Sequence, residues 1–198
     1  GKGIPGDLGD TTRPLQGIAA MISDNTGQSW SSLGAVPLAD GTDETNYYEP
    51  HVVHIADNHF LGLIRVQNGP DKGRLESLGE VPFSIAQTVT RDGGKTWSKA
   101  ELLGFHGSPP HVFRHTSGAL VCAYGYRKEP YGERVMLSYD NGESWDYHYV
   151  LRDDGPDTDL GYPASVELSD GSILTVYYQK IAGPGEKCSL LWSRWKLP

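Results

Sequence analysis

The side chains able to do chemistry are scattered along this sequence. Cys122 and Cys188 are too few for a disulfide framework and lack metal-ligand spacing. His51, His54, His59, His106, His111, His115 and His148 are also without such spacing and read mostly as surface or polar-channel residues, so neither a metal site nor a cofactor is expected. His111 stands apart because it follows two prolines at the start of a strand-like run, where its ring would face a ligand. Arg65 makes the strongest demand. It ends the apolar run Leu61-Gly-Leu-Ile64, and a guanidinium at the inner end of a buried strand needs an anionic partner. Glu49, at the start of the same segment, can supply that charge as a structural pair, or it can merely cap the turn before Pro50. Tyr47, Tyr48, Tyr126, Tyr131 and Tyr147 lie near loops and could stack on sugars or pack between sheets.

The elements that must position these residues are set by two alternating repeats. The first is an octet, [ST]-x-[DN]-x-G-x-[ST]-W, present at Ser23 to Trp30, Thr90 to Trp97 and Ser138 to Trp145. Its spacing is that of a closed hairpin turn: Asp or Asn accepts from nearby backbone N–H groups, Gly takes the positive φ, the hydroxyls bond locally, and Trp covers the turn. The second repeat is an apolar strand, a short polar turn and another apolar strand, at Glu49 to Arg65, Pro110 to Tyr124 and Tyr162 to Tyr178. One of each makes a four-stranded antiparallel unit, the blade of a β-propeller. The runs Leu61-Gly-Leu-Ile64 and Ile173-Leu-Thr-Val-Tyr177 are expected to be buried on both faces. The chain divides into half a blade over 1–46 and blades over 47–107, 108–159 and 160–198, about 3.5–4 in all. Propellers close with four to eight blades, so the expectation is the C-terminal part of a longer propeller, with four-blade closure or pairing with a second copy as the alternatives and self-association through the open blade edge as a consequence of an open end. The stretch from Gly1 to Gly17 reads as a loop leading into mid-blade.

Composition excludes several classes. With 25 Gly and 13 Pro in 198 residues, 37% of them hydrophobic, a coiled coil or helical bundle is ruled out. No window is long and apolar enough for a membrane span, and the opening residues lack the order of a signal peptide. A net charge of −8 gives no basis for holding nucleic acid or an anionic membrane, so an anionic ligand requires locally focused arginines.

The octet resembles the Asp-box, or BNR repeat, of the sialidase (neuraminidase) superfamily of six-bladed propellers, and the similarity runs from about residue 18 to 198. Segments such as Tyr48-Glu-Pro-His-Val-Val, Pro109-Pro-His, Tyr124 to Arg134 and Gly161-Tyr-Pro-Ala-Ser-Val-Glu-Leu carry it further, resembling bacterial sialidase-like proteins. The resemblance implies an all-β propeller and an exo-glycosidase acting on a terminal sialic acid or related acidic sugar of a glycan. It also implies a tyrosine nucleophile, since a neutral phenol avoids the repulsion a carboxylate would meet beside an anionic sugar. On that resemblance Tyr162 is the nucleophile, Glu49 its activating base and Arg65 a carboxylate-binding arginine. Arg127 fits a further carboxylate-binding arginine, with Arg134 its competitor because the insertion Lys128 to Glu133 blurs the alignment.

The match fails in two places. The family's Arg-Ile-Pro segment and the aspartate acid/base after it are not recognisable, Arg13-Pro14 lacking the middle residue. Where the family often has a glutamate steadying the arginines, this chain has Tyr178 followed by Gln179. Standing alone, these 198 residues would therefore have weak or no sialidase activity. Two other readings remain: a non-catalytic Asp-box propeller binding carbohydrate or protein, and another glycoside hydrolase or lyase that uses His111 and arginines on a uronic acid. For a glycan-processing enzyme of this type a secreted or periplasmic location is favoured.

Overall fold

A computed structural model describes residues 17–70, 73–183 and 185–198. The Arg13-Pro14 segment and most of the opening glycine-rich stretch lie outside these described residues. Each octet joins two strands. Strands β1 (Ala19–Ile22) and β2 (Ser31–Ala35) flank the first octet as a two-stranded sheet. A four-stranded sheet follows: β3 (Tyr47–Ala56), β4 (His59–Gln67), β5 (Phe83–Thr90) and β6 (Glu101–Leu102). A second is built from β7 (Pro110–Arg114), β8 (Leu120–Tyr126), β9 (Gly132–Ser138) and β10 (Asp146–Arg152). The last has three strands, β11 (Gly161–Glu167), β12 (Ile173–Gln179) and β13 (Ser189–Trp195). All pairings are antiparallel between sequence neighbours. The innermost strands β3, β7 and β11 pack side by side, as the blades of a propeller do around its axis.

The octets close as their chemistry requires. In the second, Asp92 Oδ1 accepts from Thr96 N at 2.9 Å and from the Thr90 hydroxyl at 2.8 Å, while that hydroxyl accepts from Gly94 N at 3.0 Å. The third repeats these bonds with Asp140, Ser144, Ser138 and Gly142, and the first with Asn25, Ser29, Ser23 and Gly27. Four converging donors hold the Asp92 and Asp140 carboxyls at about 2, well below the ordinary range. Glycine is required at the third-octet turn. Gly142 sits at φ +91°, and a Cβ there would lie 2.1 Å from Leu61 Cδ1 on the neighbouring sheet.

Between the sheets, side chains alternate along each strand. Leu120, Cys122 and Tyr124 of β8 join Val53, Leu61, Leu63 and Ile85 in one core, and Val121 and Ala123, facing the other way, join Val135, Leu137 and Ile173 in another. Strands β4 and β8 are thereby buried on both faces. Contrary to expectation, β12 alternates buried with half-buried residues, because among the described residues no further sheet packs on its far face; Leu190, Trp192 and Val166 of this last sheet stand exposed. At the other end an apolar trough of about 400 Å³ lies between β1–β2 and the first four-stranded sheet, lined by residues including Ile18, Leu33, Val52, Phe60 and Trp97. Strand β6 is short: ahead of it Ser98 N still donates to Val89 O of β5, but Ala100 N donates to Pro37 O instead. The long insertion between β4 and β5 carries one helical turn, Arg74–Ser77, anchored by buried Leu75 and by an Arg74–Asp43 ion pair of 2.6 Å. Among the described residues no helix is long and apolar enough to cross a membrane.

Candidate active site

The first residues of the inner strands and the last residues of their partners come together at one end of the sheets. Three segments occupy the same place in successive sheets: Glu49-Pro50-His51, Pro109-Pro110-His111 and Tyr162-Pro163-Ala164. A proline has no N–H for the ladder and bars its predecessor from the right-handed helical region. Strand pairing slips at two of these places, between Tyr48 and Pro50 and between Gly161 and Ala164. Inside each slip lies a non-glycine residue in left-handed backbone: Glu49 at φ +41° and Tyr162 at φ +52°. Such a conformation costs on the order of 1–3 kcal/mol and persists where surrounding structure enforces it. Each bulge turns its side chain toward the other.

Tyr162 donates its hydroxyl to Glu49 Oε1 at 2.5 Å, across 113 residues of sequence. Arg65 Nη1 donates to the other Glu49 oxygen at 2.8 Å and to the Tyr162 hydroxyl at 3.0 Å. The Arg65 side chain is only 11% exposed, and Gln67, two residues on and so on the same face of β4, accepts from its Nε and Nη2. The guanidinium is thus held in one orientation by three partners. Glu49 and Tyr162 remain open to solvent, Tyr162 at 47%. The Glu49 hydrogen bond, followed by burial, raises the Tyr162 phenol above its ordinary value, so the proton stays on oxygen at neutral pH while lying on a hydrogen bond to a carboxylate.

Arg127, just past the end of β8, lies against the same tyrosine. Its guanidinium carbon is 5.9 Å from the Tyr162 ring centre and 5.2 Å from that of Phe83, which also carries Arg65 at 5.1 Å. In contrast to Arg65, its Nε and Nη2 are buried without a hydrogen-bond partner. Tyr178 stacks on Tyr162 at 5.8 Å, in the place where a supporting glutamate was looked for.

Two expected residues lie elsewhere. Arg134 is 4% exposed and donates to the carbonyls of Pro130, Glu133 and Arg152, which fastens the β8–β9 connection; its donors meet backbone because β9 turns the side chain toward β10. His111 has its Nδ1 committed to Ser165 N at 3.2 Å, and His51, one sheet earlier, accepts likewise from Val112 N at 3.3 Å. The two rings lie 4.4 Å apart, and burial lowers both, His111 to about 4. These histidines join inner strands to one another as neutral acceptors. Among the described residues no group of three or more His, Cys, Asp or Glu could hold a metal.

Comparison with known proteins agrees with this architecture. The sequence model of the BNR repeat-like domain matches residues 11–175. The chain belongs to that family. Among solved structures, this BNR repeat-like protein is similar to a Dyadobacter fermentans protein of unknown function, with 27% identity and a TM-score of 0.73, over 90% of this chain and 45% of that one. It is also similar to the NanB sialidase of Streptococcus pneumoniae, at 20% identity and TM-score 0.61 over 90% and 27% of the two chains. A third is the Penicillium chrysogenum alpha-L-arabinanase solved with arabinobiose, at 15% identity and TM-score 0.64 over 93% and 56%. The BNR repeat-like chain thus has the sialidase-type propeller fold and spans less than half the length of the first two. No curated protein matches it.

Glu49, Arg65 and Tyr162 were approachable from sequence. Gln67 was not singled out, although its period-2 spacing from Arg65 places the two on one strand face. Phe83 opens β5 directly after the long insertion that masks the start of that strand, and Glu133 ends the insertion after Arg127.

Proposed function

We propose that this chain carries the nucleophile side of an exo-glycosidase site for a terminal acidic sugar, sialic acid or a close relative. The observation that carries the reading is the Tyr162–Glu49 contact of 2.5 Å with Arg65 bonded to both. In the reaction the Tyr162 oxygen forms a bond to the anomeric carbon as the glycosidic C–O bond breaks. Its proton passes to Glu49 Oε1, the bonding pair leaves with the aglycone oxygen, and water then cleaves the aryl glycoside so formed. Arg65 neutralises Glu49 and fixes the phenol oxygen. Arg127 lies beside the tyrosine ring with two unmatched donors that are closed to solvent; turned toward the mouth, its guanidinium would meet the sugar carboxylate as a bidentate partner.

With Arg65 paired to Glu49, Arg127, in no ion pair among the described residues, is the cation that favours an acidic sugar over the neutral arabinose unit that the arabinanase complex contains. An aryl sialoside tests the reading because its leaving group departs with little protonation, which separates the nucleophile from the acid. The expected result is slow release of the aryl alcohol, lost in Tyr162→Phe with sialoside binding retained. Binding without any release in the parent protein would instead support a non-catalytic carbohydrate-binding propeller.

A further inference from the structure

Glu133 is the most deeply buried charged residue near the mouth. It is fully shielded from solvent, and neither carboxyl oxygen has a hydrogen-bond partner. Register explains how it comes to be there. Glu133 on β9 is paired with Gly125 on β8, so its side chain leaves the sheet on the face toward which a Gly125 side chain would point. That face abuts β11: a Cβ on Gly125 would lie 2.9 Å from Gly161 Cα. Arg127 is two residues beyond Gly125, and its Nη2 is 3.6 Å from where a Gly161 Cβ would be. The seam beside the Tyr162 bulge thus holds a guanidinium with two unmet donors and a carboxyl with two unmet acceptors, acting on one another through space without a hydrogen bond.

We infer that Glu133 is a positioning residue for Arg127: in its charged form it holds the guanidinium inward in the seam against β11, and protonated it lets the guanidinium turn toward a ligand carboxylate at the mouth. This rests on the acidic-sugar reading of the site. Isolated burial of a carboxylate is costly, and burial pushes Glu133 up to about 8 against the opposing pull of Arg127 and then Arg134. At neutral pH Glu133 therefore keeps its proton and leaves the buried Arg127 guanidinium free to turn toward a ligand. The other groups around the pair are accounted for: Arg134 bonds to backbone carbonyls, Arg152 opposite Glu133 on β10 is paired with Asp154, Tyr162 and Tyr178 flank Arg127 from β11 and β12, and His106 faces it from the β6–β7 connection, its own pKa lowered by burial.

Two readouts test this. In the parent protein the ¹³C resonances of the Glu133 carboxyl and of the Arg127 guanidinium carbon should titrate together near pH 8; an Arg127 resonance indifferent to the Glu133 titration overturns the inference without any ligand. In parallel, N-acetylneuraminic acid should bind the parent several-fold more weakly at pH about 9 than at about 6.5, whereas Glu133→Gln, which keeps the volume and removes the charge, should bind equally at both. Equal weakening in both proteins also overturns it. If the two resonances titrate together but the sugar binds at neither pH, the positioning role stands and the acidic-sugar reading fails.

Discussion

The rim of this propeller and its axial mouth are built on opposite principles. At the rim, each octet closes its Asp or Asn, its hydroxyls and its glycine N–H on one another within eight residues, and the positive-φ turn positions fall to glycine or to small polar residues, Thr26 and Asn141. At the mouth, the left-handed positions are occupied by Glu49 and Tyr162 in place of glycine, the partners come from strands far apart in sequence, and Arg127 keeps buried donors unmatched. Local self-sufficiency buys stability, whereas strain and unmet hydrogen bonds mark the place where a substrate completes the structure.

That contrast can be broken by substitution. The largest effect is expected at the mouth on chemistry: Glu49→Gln should slow attack by Tyr162 by about 100-fold or more, measured as the rate of aryl sialoside cleavage, with about 1–2 kcal/mol lost from folding because Arg65 loses a charged partner. Next comes Gly142→Val at the rim, where a strained φ and the collision with Leu61 should cost about 3 kcal/mol in chemical denaturation while ligand affinity per folded molecule stays unchanged. Trp97→Ala should cost less, about 2 kcal/mol, because the indole is half-buried and donates one hydrogen bond to Gly94 O. A loss of affinity in either rim variant would erase the distinction between the regions.

The smallest effect concerns pH. His51 and His111 must be neutral to accept backbone N–H groups, and burial lowers both, His111 from 6.5 to about 4. The unfolded chain therefore binds more protons across that window, so stability should fall as pH drops from about 6.5 toward 4. The rim carboxylates Asp92 and Asp140, held at about 2, should contribute only below their ordinary value of 3.8. His111→Asn keeps an acceptor near the Nδ1 position without titrating, and should remove part of the slope between pH 6.5 and 4 in thermal unfolding. An unchanged slope would mean that the strand-joining histidines are not what the acid attacks.

The same contrast explains what could be read in the sequence. The octets are local, so their turns, glycines and sheet boundaries follow from eight consecutive residues. Arg65's need of an anion, with Glu49 to supply it, follows from their own strands, but Tyr162 was reachable only through resemblance to a family, because nothing in the chain itself says that residues 49 and 162 meet. The left-handed backbone of Glu49 and Tyr162 had only the following prolines as a sign. Glu133 read as one more charge in an insertion until its register opposite Gly125 turned it inward. Arg134, next in sequence, competed with Arg127 for the place of a carboxylate-binding arginine, and its donors go to the backbone carbonyls of Pro130, Glu133 and Arg152 instead.

The central claim is that Glu49 and Tyr162 form an activated nucleophile. It is tested most directly with a 2,3-difluoro sialic acid, whose fluoride departs without an acid and whose second fluorine slows hydrolysis of the glycosyl–tyrosine. Peptide mass spectrometry should find one adduct, on Tyr162, in the parent protein, and none in Tyr162→Phe. An unmodified Tyr162 in protein that binds the reagent, or an adduct on any other residue, would contradict the account.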